Sequence, residues 1–454
     1  MNILNREELL KSGDIKAKEI ALEILLEALK SSDPYIAVKK SLTRRNKKII
    51  VHGRTFELQG KLYVLGFGKA SCSMAKAVEE ILGDLIVEGL VITKYGYRLP
   101  LKKIKVIEAG HPIPDENSLR GAQQALEMVS KIGPKDILIV LISGGGSSLF
   151  VMPEDGISLQ DKIKVNNLLL KSGARIHEIN IVRKHLSKVK GGKLAKKVKG
   201  TLIALILSDV VGDKLDIIAS GPTVKDPSTF YDAYKILTRY DLWDKIPESV
   251  RNHILLGIKG LREETLKKDL PNVYNFIIGG VSLACESAAK KARELGLEPY
   301  ILTTTLEGEA KDTGLVLGSI IDEIYHHDRP FKKPCVIICG GETTVTIRGE
   351  AGKGGPNQEV ALSITRKIRG LRNTAFLSID TDGTDGPTDA AGGLVDSYTY
   401  DELMKKNIDV EEYLSKHDAY NALRNVNALV FTGPTNTNVN SIMIGVILRN
   451  TIVH

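Results

Sequence analysis

Four cysteines in 454 residues, with no Cys-x-x-Cys and no Cys/His zinc spacing, exclude a disulfide scaffold and a zinc-ribbon site. Cys72 and Cys285 are isolated, and Cys335 and Cys339 share the strand-like run PCVIICGG, where cysteine acts as a small hydrophobe. Aromatic residues make up only 5%, which argues against base-stacking platforms for nucleic acid. No apolar stretch reaches the ~18 residues of a membrane span. The first residues, MNILNREELLKSG, have no apolar signal core, so the expected location is the cytoplasm. There is no fixed-period repeat, no low-complexity tract and no long run of one charge. The net charge of +8 is spread over 63 basic and 55 acidic residues. That balance favours anionic small substrates and calls for no nucleic-acid partner.

Apolar residues at 43% suffice for ordinary cores, and the length calls for more than one domain. Strand and helix signals alternate almost throughout, which predicts an α/β protein, doubly wound in both halves. The expected domains are 1–265 and 270–454. A charged helical passage, Tyr231 to Lys268, joins them, and a second strand set opens at Asn275 to Ile278.

Chemistry concentrates where apolar strands end. Such ends deliver polar groups to the carboxyl edge of a sheet, where open α/β sheets bind ligands. Ala375 to Asp380 runs into TDGTDGPTDAAGG, which carries Asp380, Asp382, Asp385 and Asp389. Clustered carboxylates suit Mg²⁺ or a general base. A solvated turn is the plain alternative, and the repeated Thr-Asp-Gly speaks against it. Lys61 to Leu65 leads through Gly66 and Gly68 to Lys69, Ser71 and a helix, a pattern that favours an anion. It is neither a Walker loop nor a full dinucleotide fingerprint, because Ser71 stands at the third glycine position. A tight structural turn is the alternative there.

Asp136 to Ile142 opens into Ser143, Gly144, Gly145, Gly146, Ser147 and Ser148, a donor-rich loop that reads as an oxyanion nest or a flexible turn. Arg183 and Lys190 lie seven apart, so on one helical face both can reach one polyanion, although basic faces are commonly just solvated. Thr201 to Leu207 ends at Asp209, a candidate for proton abstraction, metal contact or simple capping. His111, in GHPIPDENS, is a ligand contact or a loop histidine bonded to nearby backbone.

Together GFGKAS, GHPIPDENS, SGGGSSL, RKHLSKVKGGKLA, SDVVGD with SGPTV, GGETTVT, GGPNQE, DTDGTDGPTDAAGG and TGPTNTNVN resemble the class II glycerate kinases, or MOFRL family. The resemblance spans nearly the whole chain, with the MOFRL region at about 335–447. It is to the archaeal-type members, which make 2-phosphoglycerate. It implies two Rossmann-like domains with the active site in an interdomain cleft, and ATP- and Mg²⁺-dependent phosphorylation of D-glycerate.

In that reading Lys69, Asp209 and Asp385 are catalytic, and Asp209, Asp382 and Asp385 face the metal. The loops at Gly66 to Ser71 and Ser143 to Ser148, with Arg183 and Lys190, hold substrate or phosphate. Gly340, Glu342, Lys353, Asn357, Thr435 and Asn438 contact the nucleotide. One departure stands out: many relatives read Gly-Gly-Arg-Asn-Gln where this chain has Gly355-Pro356-Asn357-Gln358, so either Lys353 or Arg348 substitutes for the arginine or the site does not need it. The expected partners are glycerate and ATP, with no nucleic acid and no membrane, and a homodimer. The rival readings are phosphorylation of the 3-hydroxyl, a non-catalytic nucleotide-binding protein, and an NAD(P)-dependent oxidoreductase.

Overall fold

The computed structural model describes residues 2–449. They divide into two compact units: residues 34–278, and the stretch up to Asp33 together with everything from Gly279 onward.

The first unit begins with a small antiparallel sheet of β1 (Leu42–Arg45), β2 (Lys48–Val51) and β3 (Arg54–Glu57). Its main sheet contains β4 (Leu62–Phe67), β5 (Ile86–Lys94), β6 (Ile104–Ala109), β7 (Ile137–Ile142), β8 (Thr201–Leu207) and β9 (Val273–Gly279). The spatial order is β6-β5-β4-β7-β8-β9. The pairings from β6 across to β8 are all parallel. β4 and β7 are buried at every position, as central strands covered on both faces must be. Phe67, at the end of β4, stacks on Phe150 at 4.4 Å beneath the strand ends. The chain winds outward in opposite directions from β4 and β7, so a crevice opens between their carboxyl ends.

Two expectations change here. The passage from Tyr231 to Lys268 is not one helix. It forms Phe230–Arg239 and Glu248–Ile258, separated by a left-handed Asp241 (φ 53°) and by Pro247. The strand expected to open the second set closes the first sheet instead. Leu202 N donates to Asn272 O at 2.8 Å, which seats β9 beside β8.

The later unit has a six-stranded sheet of β10 (Glu298–Glu309), β11 (Cys335–Thr344), β12 (Thr374–Asp380), β13 (Gly392–Asp396), β14 (Leu429–Val430) and β15 (Ser441–Ile447). Its order is β10-β11-β15-β12-β13-β14. β10 and β11 are parallel, and the remaining pairs are antiparallel. The α/β class holds, but this sheet is mixed. The acidic loop joins β12 to β13 directly, and a connection without a crossover helix makes antiparallel neighbours.

The helix Ile15–Ser31 belongs to this unit. It buries Ala17, Ala21, Leu22, Ile24, Leu25, Ala28 and Leu29, the apolar stripe its spacing predicts. Asp14 anchors its start: the carboxylate accepts from Asn373 N at 2.9 Å and from the Ser397 hydroxyl at 2.7 Å. Lys18 pairs with Asp396 at 3.3 Å. No helix among the described residues is long and apolar enough to cross a membrane.

Candidate active site

The first unit gathers its polar groups at the crevice between β4 and β7. Lys69 follows the β4 turn, and its N–H donates to Gly144 O at 2.8 Å. Ala70 N donates to Ser143 Oγ at 3.1 Å, so the two strand-exit loops are tied together. Ser71 turns its hydroxyl inward to Gly68 O at 2.6 Å, which uses it to close the turn. Gly66 lies within β4, where a Cβ would sit 2.8 Å from Val91.

Asp209, after β8, lies against Gly144; a Cβ on that glycine would stand 2.3 Å from Asp209 Oδ2, so only glycine admits this approach. Burial raises the Asp209 pKa, and the positive charge of Lys69 opposes the rise. Gly145 is left-handed (φ 83°), and a Cβ there would meet His111 Nε2 at 2.9 Å and Lys69 Cγ at 3.3 Å. His111 therefore faces this loop. Its pKa is lowered to about 4 by burial and by Lys69 and Lys94, so the imidazole is neutral near pH 7. Ser147 Oγ lies 2.9 Å from Ser220 Oγ, and Ser148 donates to Gly145 O at 3.1 Å, within and beside the short helix Gly146–Leu149.

A cavity of about 190 Å³ opens beside the serine loop, lined by His111, Ser147, Ser148, Lys162, Arg183 and Lys190 among others. Two of its three cations are withdrawn from water, and Arg183 is half-buried. Lys190 is 1% exposed and Lys162 is 7% exposed. Their nitrogens meet only backbone oxygens, Lys190 with Phe150 O at 3.3 Å and Lys162 with Arg183 O at 3.4 Å. Arg183 Nε donates to Asn166 Oδ1 at 2.6 Å. No carboxylate pairs with any of the three among the described residues. Their neighbours in sequence differ: Lys184 is paired with Asp216 and Asp226, each at 3.2 Å, and Lys193 with Glu154 at 2.6 Å. Burial, then Arg183 and Lys193, lowers the Lys162 pKa to about 7. Lys190 is pushed well down by burial and by the other two cations. Buried cations that repel one another in this way would be stabilised by an anion.

The later unit holds the acidic loop. Asp380 ends β12, and its pKa is raised to about 7 by burial and by Asp382, Asp385 and Glu342. Asp382 Oδ1 accepts from Thr384 N and Oγ1, both at 2.9 Å. Asp385 is 1% exposed and is taken up by the helix Pro356–Ile368. It accepts from Asn357 N at 3.0 Å, Asn357 Nδ2 at 3.1 Å and Gln358 N at 2.8 Å. Pro356 opens that helix in its first turn, where a missing N–H costs nothing.

The expected nucleotide contacts are dispersed among several tasks. Asn357 is enclosed, bonded also to Ser378 at 2.6 Å and Ser441 at 2.9 Å. Lys353 lies over Tyr420 at 3.6 Å and reaches Asp389 at 3.4 Å. Gly340 makes room for Val281 and Cys285. Thr435 bonds to Thr381 O at 2.5 Å. Glu342 accepts from Asn440 Nδ2 at 3.2 Å, and Asn440 N in turn donates to Asn438 Oδ1 at 3.2 Å. Among the described residues no three His, Cys, Asp or Glu side chains cluster as a ready ligand set.

Residues 20–255 match the family described as "Domain of unknown function (DUF4147)", and residues 335–441 match the MOFRL family. The chain is 60% identical to a glycerate 2-kinase of Pyrococcus horikoshii, over 95% of this chain and 97% of that protein. The chain belongs to the glycerate 2-kinase family. A D-glycerate 2-kinase of Thermotoga maritima is 44% identical over 95% of this chain and 98% of its own length. The crystal structure of a glycerate kinase from Thermotoga maritima superposes with a TM-score of 0.87 at 43% identity, covering 95% of this chain and 100% of that one.

In this glycerate 2-kinase family member the sequence reading passed over the pocket wall supplied by one helix, Lys162 and Asn166 among its residues. Lys162 sits on the helix Leu159–Lys171, on the buried stripe with Leu159, Val165 and Leu169. A lysine inside an apolar stripe was the available signal.

Proposed function

We propose that the protein transfers the γ-phosphoryl group of ATP to the 2-hydroxyl of D-glycerate, releasing ADP and 2-phosphoglycerate. The observation that carries this reading is the cationic pocket bordered by the Ser143–Ser148 loop, whose Gly145 and Gly144 are approached by Lys69 and Asp209, at the switch point of the first unit's sheet. Arg183 and Lys190, with the Ser147 and Ser148 hydroxyls, hold the glycerate carboxylate. A guanidinium suits the planar acid, because two parallel N–H bonds can form. Asp209 accepts the proton of the attacking hydroxyl. Its raised pKa makes it a better base than an ordinary carboxylate, and the charge of Lys69 opposes the rise. The hydroxyl oxygen bonds to the γ-phosphorus as the bond to the bridging oxygen breaks. Lys69 opposes the negative charge spread over the transferring group.

Asp385 lies outside this mechanism in our reading, because both its oxygens are spent on the helix start. Asp380 and Asp382 fit Mg²⁺: their mutual repulsion has no paired lysine or arginine among the described residues, and Mg²⁺ commonly takes one or two carboxylates plus phosphate. The ion would supply positive charge to the nucleotide phosphates. Glu342, Thr435 and Asn438 belong to the nucleotide's surroundings. We place the enzyme in the cytoplasm, acting on small molecules.

The test is ³¹P NMR after incubation with D-glycerate, ATP and Mg²⁺. The expected products are 2-phosphoglycerate and ADP in equal amounts. A 3-phosphoglycerate signal moves the acceptor to the other hydroxyl. ATP binding with no phosphate ester formed leaves a nucleotide-binding protein.

A further inference from the structure

We infer that the acceptor pocket has a second anion position at Lys162, so that it takes small 2-hydroxydicarboxylates more tightly than monocarboxylates of the same size. This rests on the acceptor reading above. Glycerate brings one carboxylate, whereas the pocket presents three cations with no carboxylate partner among the described residues. Arg183 is held at Nε by Asn166, which leaves its two Nη nitrogens for one carboxylate, with Lys190 beside them.

Lys162 enters from a different helix, Leu159–Lys171, in the company of Ile163, Asn166 and Asn167 at the cavity wall. Its nitrogen is tethered only by the long contact of 3.4 Å to Arg183 O. The mechanism proposed above assigns it no role, and burying an unpaired ammonium is costly unless a ligand supplies the counter-charge. Burial, Arg183 and Lys193 lower the Lys162 pKa, and Glu154, itself bonded to Lys193, only partly opposes them. The ligand that completes the arrangement carries two anionic groups about the hydroxyl-bearing carbon. A three-carbon hydroxy diacid is the smallest such molecule.

The probes are hydroxymalonate, with two carboxylates, and lactate, with one, each used as an inhibitor of the full-length enzyme against D-glycerate at saturating ATP. Hydroxymalonate is expected to compete with glycerate, with an inhibition constant at least tenfold below that of lactate. In Lys162→Met the ratio of the two constants falls to about one, and in Lys162→Arg, which keeps the charge, it persists. Equal constants in the unaltered enzyme overturn the inference without recourse to a variant, so a misfolded Lys162→Met does not shelter it. Equal weakening of both inhibitors in Lys162→Met also overturns it, since Lys162 then serves any carboxylate. Hydroxymalonate that competes with ATP instead of glycerate overturns it too. Absence of any glycerate turnover defeats the acceptor reading itself, a result separate from all of these.

Discussion

Replacing Asp385 by Asn separates a structural carboxylate from a catalytic one. In the fold this group is almost wholly buried, and its pKa is raised to about 6, by burial first, with the Asn357 and Gln358 donors pulling the other way. An ordinary aspartate titrates near ~4, so the rise corresponds to roughly 3 kcal/mol. The folded pKa is the higher one, so the protonated form is the stabilising form. Its contribution is complete below about pH 4 and is lost as pH rises through about 6. Asn cannot titrate and lacks this loss.

Losing one good acceptor for Gln358 N costs the variant about 1–3 kcal/mol, but at every pH alike. For a unit of this size each kcal/mol moves Tm by roughly 2–4 °C. Between pH 4 and pH 7.5 the Tm of the unaltered protein should therefore fall about 6–12 °C relative to that of Asp385→Asn. Asp380 is raised in part by the Asp385 charge, so its pKa falls in the variant, and this adds to the difference in the same direction. Calorimetry across that range reads the result. Parallel Tm profiles would refute the buried-cap reasoning. A folded variant whose kcat drops more than about a hundredfold would make Asp385 the base after all.

Lys69→Met should lower kcat at least about a thousandfold in a coupled ADP-release assay, since removal of a charge aimed at the transferring phosphoryl group has effects of that order. Asp209→Asn should lower kcat by about 10²–10⁴ while isothermal titration finds ATP binding intact; a loss under tenfold removes Asp209 as base. Arg183→Met should raise KM for glycerate by about 10–100-fold and leave KM for ATP nearly unchanged, since a charge-assisted bond contributes about 1.5–3 kcal/mol. Gly145→Ala forces a Cβ to within 2.8 Å of His111 in a left-handed backbone position, so kcat/KM should fall about tenfold or more and Tm by a few degrees.

The first unit's site was legible because its chemistry sits at strand ends, and buried parallel strands announce themselves as short apolar runs. β4, β7 and β8 each end at a residue the sequence singles out: Lys69, Ser143 and Asp209 lie within two residues of a strand end. The pocket wall was less legible. Lys162 looks like any lysine on a charged helix until the fold turns its apolar stripe inward. The direction of strands in the later unit was hidden for a different reason: alternation and composition carry burial but not polarity, so the doubly wound expectation missed that β12 pairs antiparallel with both β13 and β15. The break in Tyr231 to Lys268 had a visible cause in Pro247, outweighed in the reading by the helical residues around it. Asp385 could not be separated from Asp380 and Asp382 by spacing, because the start of the helix at Pro356 reaches it only through tertiary folding.

The helix Ile15–Ser31 is made early in the chain but finds its seat among strands made last, at Asn373, Asp396 and Ser397. Residues 34–278 form a complete unit in the interval. On the ribosome that middle portion can fold as soon as it emerges, while the leading helix waits with its apolar stripe uncovered until the end of synthesis. A shortened chain beginning at Gly279 lacks one covering layer of its sheet, and supplying residues 2–33 as a separate peptide should restore its solubility.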